Sequence, residues 1–394
     1  MGRFDLAFEG GGAKGVAFVG ALEELFGNGH EPGRAVGTSA GAISAALLAA
    51  GYSPAEMLEA ATERLTDGSP RFTSFLDVPE SAEFTLEQCA AACCRPAGAA
   101  RPLAGAARRA LRRWAFHAML RFQAFRQLVS LIEHGGLFSG TAFLDWIEEK
   151  LAAKGFPPRT TFREFARLSP VELTVIASDV TEREMLTLNH RATPDLPVAW
   201  AVRMSMSIPF VWQEVIWREE WGRYRGRSKA GAAVVDGGAI SNFPMKLLVE
   251  PGGDDLVMGP PRSGSAALGL LIDEDAALEA ATAAAAEAGP LARLRTAERL
   301  SRLIRTMMQA DDNEVIRRFG DRVCRIPAKG YGTLEFDLEG ERLERFIDAG
   351  RRSMRRTLRD LGLSRRWYTG PSTQDHEQPP DAARLADTLQ PNFG

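Results

Sequence analysis

The first fifty residues alternate between short apolar blocks and runs of small residues. Arg3 to Phe8 reads as a buried strand that ends in Glu9 and Gly10-Gly11-Gly12. Val16 to Phe26 carries apolar residues at helical spacing, with Gly27 and Gly29 to stop it. A second short strand at Arg34 to Val36 runs into Gly37-Thr38-Ser39-Ala40-Gly41, and a small-sided helix follows from Ala42 to Ala50. Strand, turn and helix, repeated, predict a parallel α/β sheet.

Residues 54–135 read as a helical insertion. Leu111, Trp114, Ala118, Phe122, Phe125, Val129 and Ile132 recur at steps of three and four. Arg108, Arg109, Arg112, Arg113 and Arg126 fall largely on the other side. The α/β pattern resumes with a helix near Ala142 to Ala153, a strand near Glu172 to Ser178, a helix leading to Ser205, and a strand from Ala232 to Val235. Beyond these come a strand at Leu268 to Ile272, an alanine-rich helix, an arginine-bearing helix over Leu291–Met308, and short strands at Cys324–Ile326 and Leu334–Phe336. A last helix spans Gly340 to Leu361. The expected organisation is one unit over 4–250, a C-terminal α/β extension over 251–363 packed on it, and a flexible polar tail over 364–394.

Composition excludes little except extremes. The chain has 394 residues, 45% apolar and 25% charged, with a formal net charge of −3, so it is neither disordered nor broadly basic. No nucleic-acid partner is expected on that balance. Arginine supplies 42 of the 48 basic residues, and none of the residues between Glu87 and Glu133 is acidic. Cys89, Cys93, Cys94 and Cys324 show no zinc spacing and read as reduced thiols. The N-terminus lacks the apolar core of a signal peptide, and no run is long enough to span a membrane, so a cytoplasmic location is expected.

Three motifs carry the chemistry. Gly37-Thr38-Ser39-Ala40-Gly41 fits G-x-S-x-G, where a serine sits on a strained turn between strand and helix and needs small residues on both sides. Gly10-Gly11-Gly12-Ala13-Lys14-Gly15 fits G-x-G-x-x-G between a strand and a helix. A dinucleotide site would want an acidic residue at the end of the second strand, where this chain has Gly37-Thr38-Ser39; bare amides for an oxyanion suit the loop better. Asp236-Gly237-Gly238 puts an aspartate at a strand end, which read alone is a turn residue. The five histidines are His30, His117, His134, His190 and His376, and none has a framing motif. If Ser39 is a nucleophile, its base is expected to be a carboxylate. A Ser-His-Asp esterase using His190 or His376, and a non-enzymatic nucleotide-binding module, stand as alternatives.

Taken in order, the Gly10–Gly15 run, the Ser39 motif and Asp236-Gly237-Gly238 resemble the patatin-like phospholipase family. Gly136-Leu137-Phe138-Ser139-Gly140, Ser205-Met206-Ser207-Ile208-Pro209 and the run from Asp236 to Pro244 agree with it. The resemblance implies a three-layer α/β/α sandwich with a mainly parallel sheet. It also implies a Ser39–Asp236 dyad, an oxyanion hole from the amides of Gly10, Gly11 and Gly12, and supporting roles for Lys14, Gly15, Gly37, Gly41, Gly237 and Gly238. Lys14 stands where the family commonly has Arg or Lys; contact with a lipid phosphate and orientation of the loop both stay open. The implied activity is hydrolysis of phospholipid or lysophospholipid carboxyl esters through an acyl-enzyme, with no metal and no cofactor. Peripheral membrane contact through Trp114, Phe116, Phe122 and the arginines from Arg108 to Arg126 is one reading of the insertion; a solvated helix packed by its apolar stripe is the other. No motif speaks to self-association.

Overall fold

The structure, a computed structural model, describes residues 2–84, 105–250, 255–259, 264–277, 317–332 and 338–363. The expected alanine-rich helix, the helix at Leu291–Met308, the strand at Leu334–Phe336, the tail and Cys89, Cys93 and Cys94 lie outside these residues. The described strands are β1 (Arg3–Phe8), β2 (Glu31–Thr38), β3 (Gly136–Phe138), β4 (Glu172–Asp179), β5 (Glu184–Leu188), β6 (Phe210–Trp212), β7 (Val215–Ile216), β8 (Arg223–Tyr224), β9 (Arg227–Ser228), β10 (Ala233–Asp236), β11 (Ser265–Ala277) and β12 (Val323–Lys329).

Eight of these strands form one sheet in the order β12-β11-β1-β2-β4-β10-β7, with β5 also on β4. From β12 through β4 all pairings are parallel; β5, β10 and β7 add antiparallel pairs. The fold is thus a mixed α/β architecture around a mostly parallel sheet. Side chains alternate across it as the strand period demands. Phe4, Leu6 and Phe8 enter the large core cluster, whereas Ala7, Val36 and Ile176 enter a second one with Phe243, Met245 and Leu248. Buried on both faces, the central strands read as nearly continuous apolar runs.

The helices are α1 (Ala17–Gly27), α2 (Ala40–Ala49), α3 (Pro54–Ala61), α4 (Gly105–Met119), α5 (Gln123–His134), α6 (Thr141–Ala153), α7 (Phe162–Leu168), α8 (Val198–Ser205), α9 (Lys246–Val249), α10 (Asp255–Met258) and α11 (Gly340–Asp360). α11 lies against α1 at contact distance. A Cβ on Gly350 would fall 2.2 Å from the Ala17 carbonyl oxygen, and one on Gly20 would fall 2.0 Å from that of Ile347. With β11 on β1 and α11 on α1, chain beyond residue 250 is built into the central sheet and its helical layer.

The insertion departs from expectation. The stripe from Leu111 to Ile132 is not one helical face, because the chain turns between α4 and α5 at 120–122. Val129 packs with Phe84, Phe116 and Leu120 in a small cluster of its own, while Trp114, Phe122 and Ile132 are exposed. Phe116 is 3% exposed and is therefore withdrawn as a membrane-facing candidate.

Candidate active site

The site forms where β1 and β2 reach their C-terminal ends beside β11, the usual location for a ligand in an open parallel sheet. β2 delivers Thr38 to the start of α2, and Ser39 is the N-cap between them, at φ 53° and ψ −121°. A non-glycine residue with that φ is strained, at a cost of about 1–3 kcal/mol. The flanking glycines make the turn possible. A Cβ on Gly37 would lie 2.1 Å from the Gly41 carbonyl oxygen, and one on Gly41 would lie 2.4 Å from that of Phe8.

Asp236 arrives from the opposite direction. β5 covers one edge of β4, so β2 and β10 share the other. Thr38 pairs with Ile176 and Asp236 pairs with Ala177, so the two strands run toward each other and end at adjacent residues of β4. This register sets Asp236 beside Ser39. The carboxylate is 1% exposed; its Oδ1 accepts from the Gly238 N–H at 2.7 Å, and its Oδ2 is buried without a hydrogen-bond partner among the described residues. Burial pushes its pKa up to about 7 from the ordinary 3.8, partly offset by the Gly238 amide and then by the Ser39 hydroxyl. The hydroxyl therefore acts on the carboxyl while standing outside the geometry of a made hydrogen bond.

The residues around this pair hold it in place. The Ser39 N–H donates to Ser205 Oγ at 2.9 Å, and that hydroxyl donates to the Ile176 carbonyl at 2.5 Å. The Asp236 N–H donates to the Ser207 carbonyl at 2.9 Å. Arg203, buried at the end of α8, donates to the carbonyls of Ser139, Gly140 and Gln213 and to Ser207 Oγ. The blocks Gly136–Gly140 and Ser205–Pro209 are in this way one brace behind the site.

In the glycine loop the three amides are not equivalent. The Gly10 N–H donates to the Asn242 carbonyl at 3.0 Å, so it is engaged within the loop support. The amides of Gly11 and Gly12 have no hydrogen-bond partner among the described residues, and Gly12 takes φ 58°. Glu9 holds the loop from below: its carboxylate accepts from the Ile272 N–H at 2.5 Å and from Asn242 Nδ2 at 3.2 Å. Lys14 is 2% exposed and ion-paired with Glu274 on β11. That pairing matches the loop-orienting reading of Lys14. Glu9, Glu274 and Asn242 escaped the motif reading. Asn242 lay in a noted block, but Glu274 has no local signal, because only sheet pairing brings β11 to the loop.

None of His30, His117, His134 and His190 bonds to Ser39 or Asp236 among the described residues. His30 takes the Gly2 N–H, and His190 is half-buried, its pKa lowered by burial and by Arg191. Asp179, Glu182 and Glu184 converge as a possible cation cluster, but the Lys229 ammonium already sits among them, 2.8 Å from Asp179 Oδ2 and 2.7 Å from Glu182 Oε2.

A mostly parallel α/β sheet, a strained serine at a strand-to-helix turn and a buried carboxylate beside it match the architecture of the α/β proteins built around a strand–turn–helix elbow. The patatin-like phospholipase family model matches residues 6–249, and the chain belongs to that family. Over 249 residues it is 34% identical to the uncharacterized protein YqhO of Bacillus subtilis, covering 62% of this chain and 66% of that one. Over 245 residues it is 20% identical to the probable lipid hydrolase 463L of Invertebrate iridescent virus 6, covering 62% and 63%. The match thus spans slightly less than two thirds of each relative. Among solved structures, VipD from Legionella pneumophila is similar at 15% identity and a TM-score of 0.44, over 91% of this chain and 67% of that one.

Proposed function

We propose that the chain is a serine lipid acyl hydrolase that cleaves the carboxyl esters of phospholipids or lysophospholipids with a Ser39–Asp236 dyad. The observation that carries this reading is the meeting of β2 and β10 on one edge of β4, which sets a strained serine beside a buried carboxylate with one free oxygen.

Ser39 Oγ attacks the ester carbonyl carbon as its proton passes to Asp236. The carbonyl electrons move onto oxygen, and the amides of Gly11 and Gly12 meet that charge. Each such donor is worth on the order of 3 kcal/mol of barrier. Gly10 serves by fixing the loop through Asn242. As the carbonyl re-forms, the C–O bond to the alcohol breaks and the alcohol takes the proton from Asp236. Water then gives a proton to Asp236 and attacks the acyl-serine; fatty acid leaves and Ser39 recovers its proton. A carboxyl with pKa near 7 suits both halves, since it accepts and returns a proton at neutral pH.

The test is labelling by a fluorophosphonate probe, wild type beside Ser39→Ala and Asp236→Asn, with release of fatty acid from mixed micelles measured in parallel. Labelling and release in the wild type alone are expected. Release that survives Ser39→Ala overturns the assignment. Loss in His190→Ala and His376→Ala with retention in Asp236→Asn would move it to a histidine-based triad.

A further inference from the structure

We propose that the α4–α5 hairpin docks the protein on an anionic lipid bilayer; this rests on the reading of the chain as a lipid hydrolase. Trp114 and Phe122 are 70% and 68% exposed, and Met119, Leu128 and Ile132 are exposed with them. These large apolar side chains share one helical hairpin whose own small core, Phe84, Phe116, Leu120 and Val129, stands apart from the two clusters on the sheet. A soluble monomer seldom displays such a group without a use for it.

Charge names the occupant. Between Glu87 and Glu133 the chain has eight arginines and no acidic residue. Arg113 and Arg121, which flank the exposed aromatics in sequence, are themselves exposed. Aromatic side chains beside arginines that have no acidic partner among the described residues are the signature of a helix lying in a headgroup layer: the rings enter the acyl boundary and the guanidinium groups stay with phosphate.

The hairpin is also continuous with the site. α5 ends at His134, and the Phe210 N–H donates to the Gly135 carbonyl at 2.9 Å, while β3 pairs with β6. Phe210 lies three residues from Ser207, whose carbonyl holds the Asp236 amide. Phe210 is itself 44% exposed at φ 68°, a strained position for a bulky residue. A bilayer meeting the hairpin is therefore met by an element tied directly to the elbow's support.

The experiment is co-sedimentation of full-length Ser39→Ala protein with vesicles of phosphatidylcholine alone or mixed with phosphatidylglycerol, so that binding is read without hydrolysis. Expected are binding to the anionic vesicles, weakening with added salt, and a blue shift of tryptophan emission that Trp114→Phe removes. Adding Trp114→Ser with Phe122→Ser, or Arg113→Glu with Arg121→Glu, should weaken binding about tenfold or more. Circular dichroism and melting of each variant, expected to match the parent because these positions are exposed, serve as the check on folding. Binding that ignores lipid charge and both pairs of substitutions overturns the proposal. So does concentration-dependent self-association that the same substitutions abolish without any vesicle binding, which would assign the face to a second copy. Hydrolysis in micelles without vesicle binding would defeat this inference alone; vesicle binding with a catalytically inert wild type would defeat only the proposed function.

Discussion

Asp236 ties the proposed chemistry to a measurable stability cost. Its carboxyl is buried, has one oxygen without a partner, and has its pKa pushed from 3.8 up to about 7. The native state therefore holds a proton that the unfolded chain has already released between pH 4 and 7. Stability falls as pH rises whenever the native state binds the extra proton, so this group destabilises progressively over that window and then levels off. At 1.36 kcal/mol per pH unit, the full cost above pH 7 is about 4 kcal/mol. Asp236→Asn keeps an acceptor for the Gly238 N–H and carries no charge. Relative to wild type it should be about 4 kcal/mol more stable at pH 8 than the same comparison gives at pH 4, while losing activity. With an unfolding entropy of about 2.1 cal/mol/K per residue, that is a Tm difference of about 5 °C for a chain of 394 residues. The assay is calorimetric or urea unfolding of both proteins in matched buffers from pH 4 to 8, where titrations common to both cancel. Stability curves that stay parallel across that range would refute the reasoning, because the carboxyl would then have an ordinary pKa.

The remaining expectations follow from the same geometry. The rate on a soluble ester should rise with pH through about 7, as Asp236 gains its base form, and level above it; a profile flat from pH 5 to 8 counts against Asp236 as the base. Gly41→Ala places a methyl group 2.4 Å from the Phe8 carbonyl oxygen and 2.6 Å from that of Glu9, and should cost about 3 kcal/mol in denaturant titration while blocking fluorophosphonate labelling. Glu274→Ala strands a buried lysine ammonium, for a loss of about 3 kcal/mol, and Lys14→Met in the same chain should restore most of it; no recovery in the double variant would show that the pair matters for more than charge balance. Gly350→Ala drives a methyl group to within 2.2 Å of the Ala17 carbonyl oxygen, so α11 should become the first element cleaved by limited proteolysis.

Much of this was written locally in the chain. The strands and helices around Ser39 are announced by apolar period and by glycine, because a turn that tight leaves no volume for Cβ at Gly37 or Gly41. The short strands β5 and β7, antiparallel to their partners, and β6, parallel to β3, carry no local signal: pairing rather than intrinsic pattern makes them strands. The stripe from Leu111 to Ile132 misled for a related reason. Period alone predicts a single face, but the chain turns at 120–122, and only packing decides that Phe116 goes inside while Trp114 and Phe122 stay out.

The sequence by itself determined the α/β alternation, the elbow, the glycine loop and the aspartate, since each depends on residues within a few positions of one another. Only the tertiary structure decided what those pieces do together. The register of β2 and β10 on β4 sets Ser39 against Asp236 across nearly two hundred residues of chain. Burial then moves the Asp236 pKa, a partner carbonyl occupies the Gly10 amide, and Glu274 from β11 turns Lys14 inward. Solvation and long-range pairing have no local code: both depend on which surfaces meet, and the chain fixes that only once it is folded.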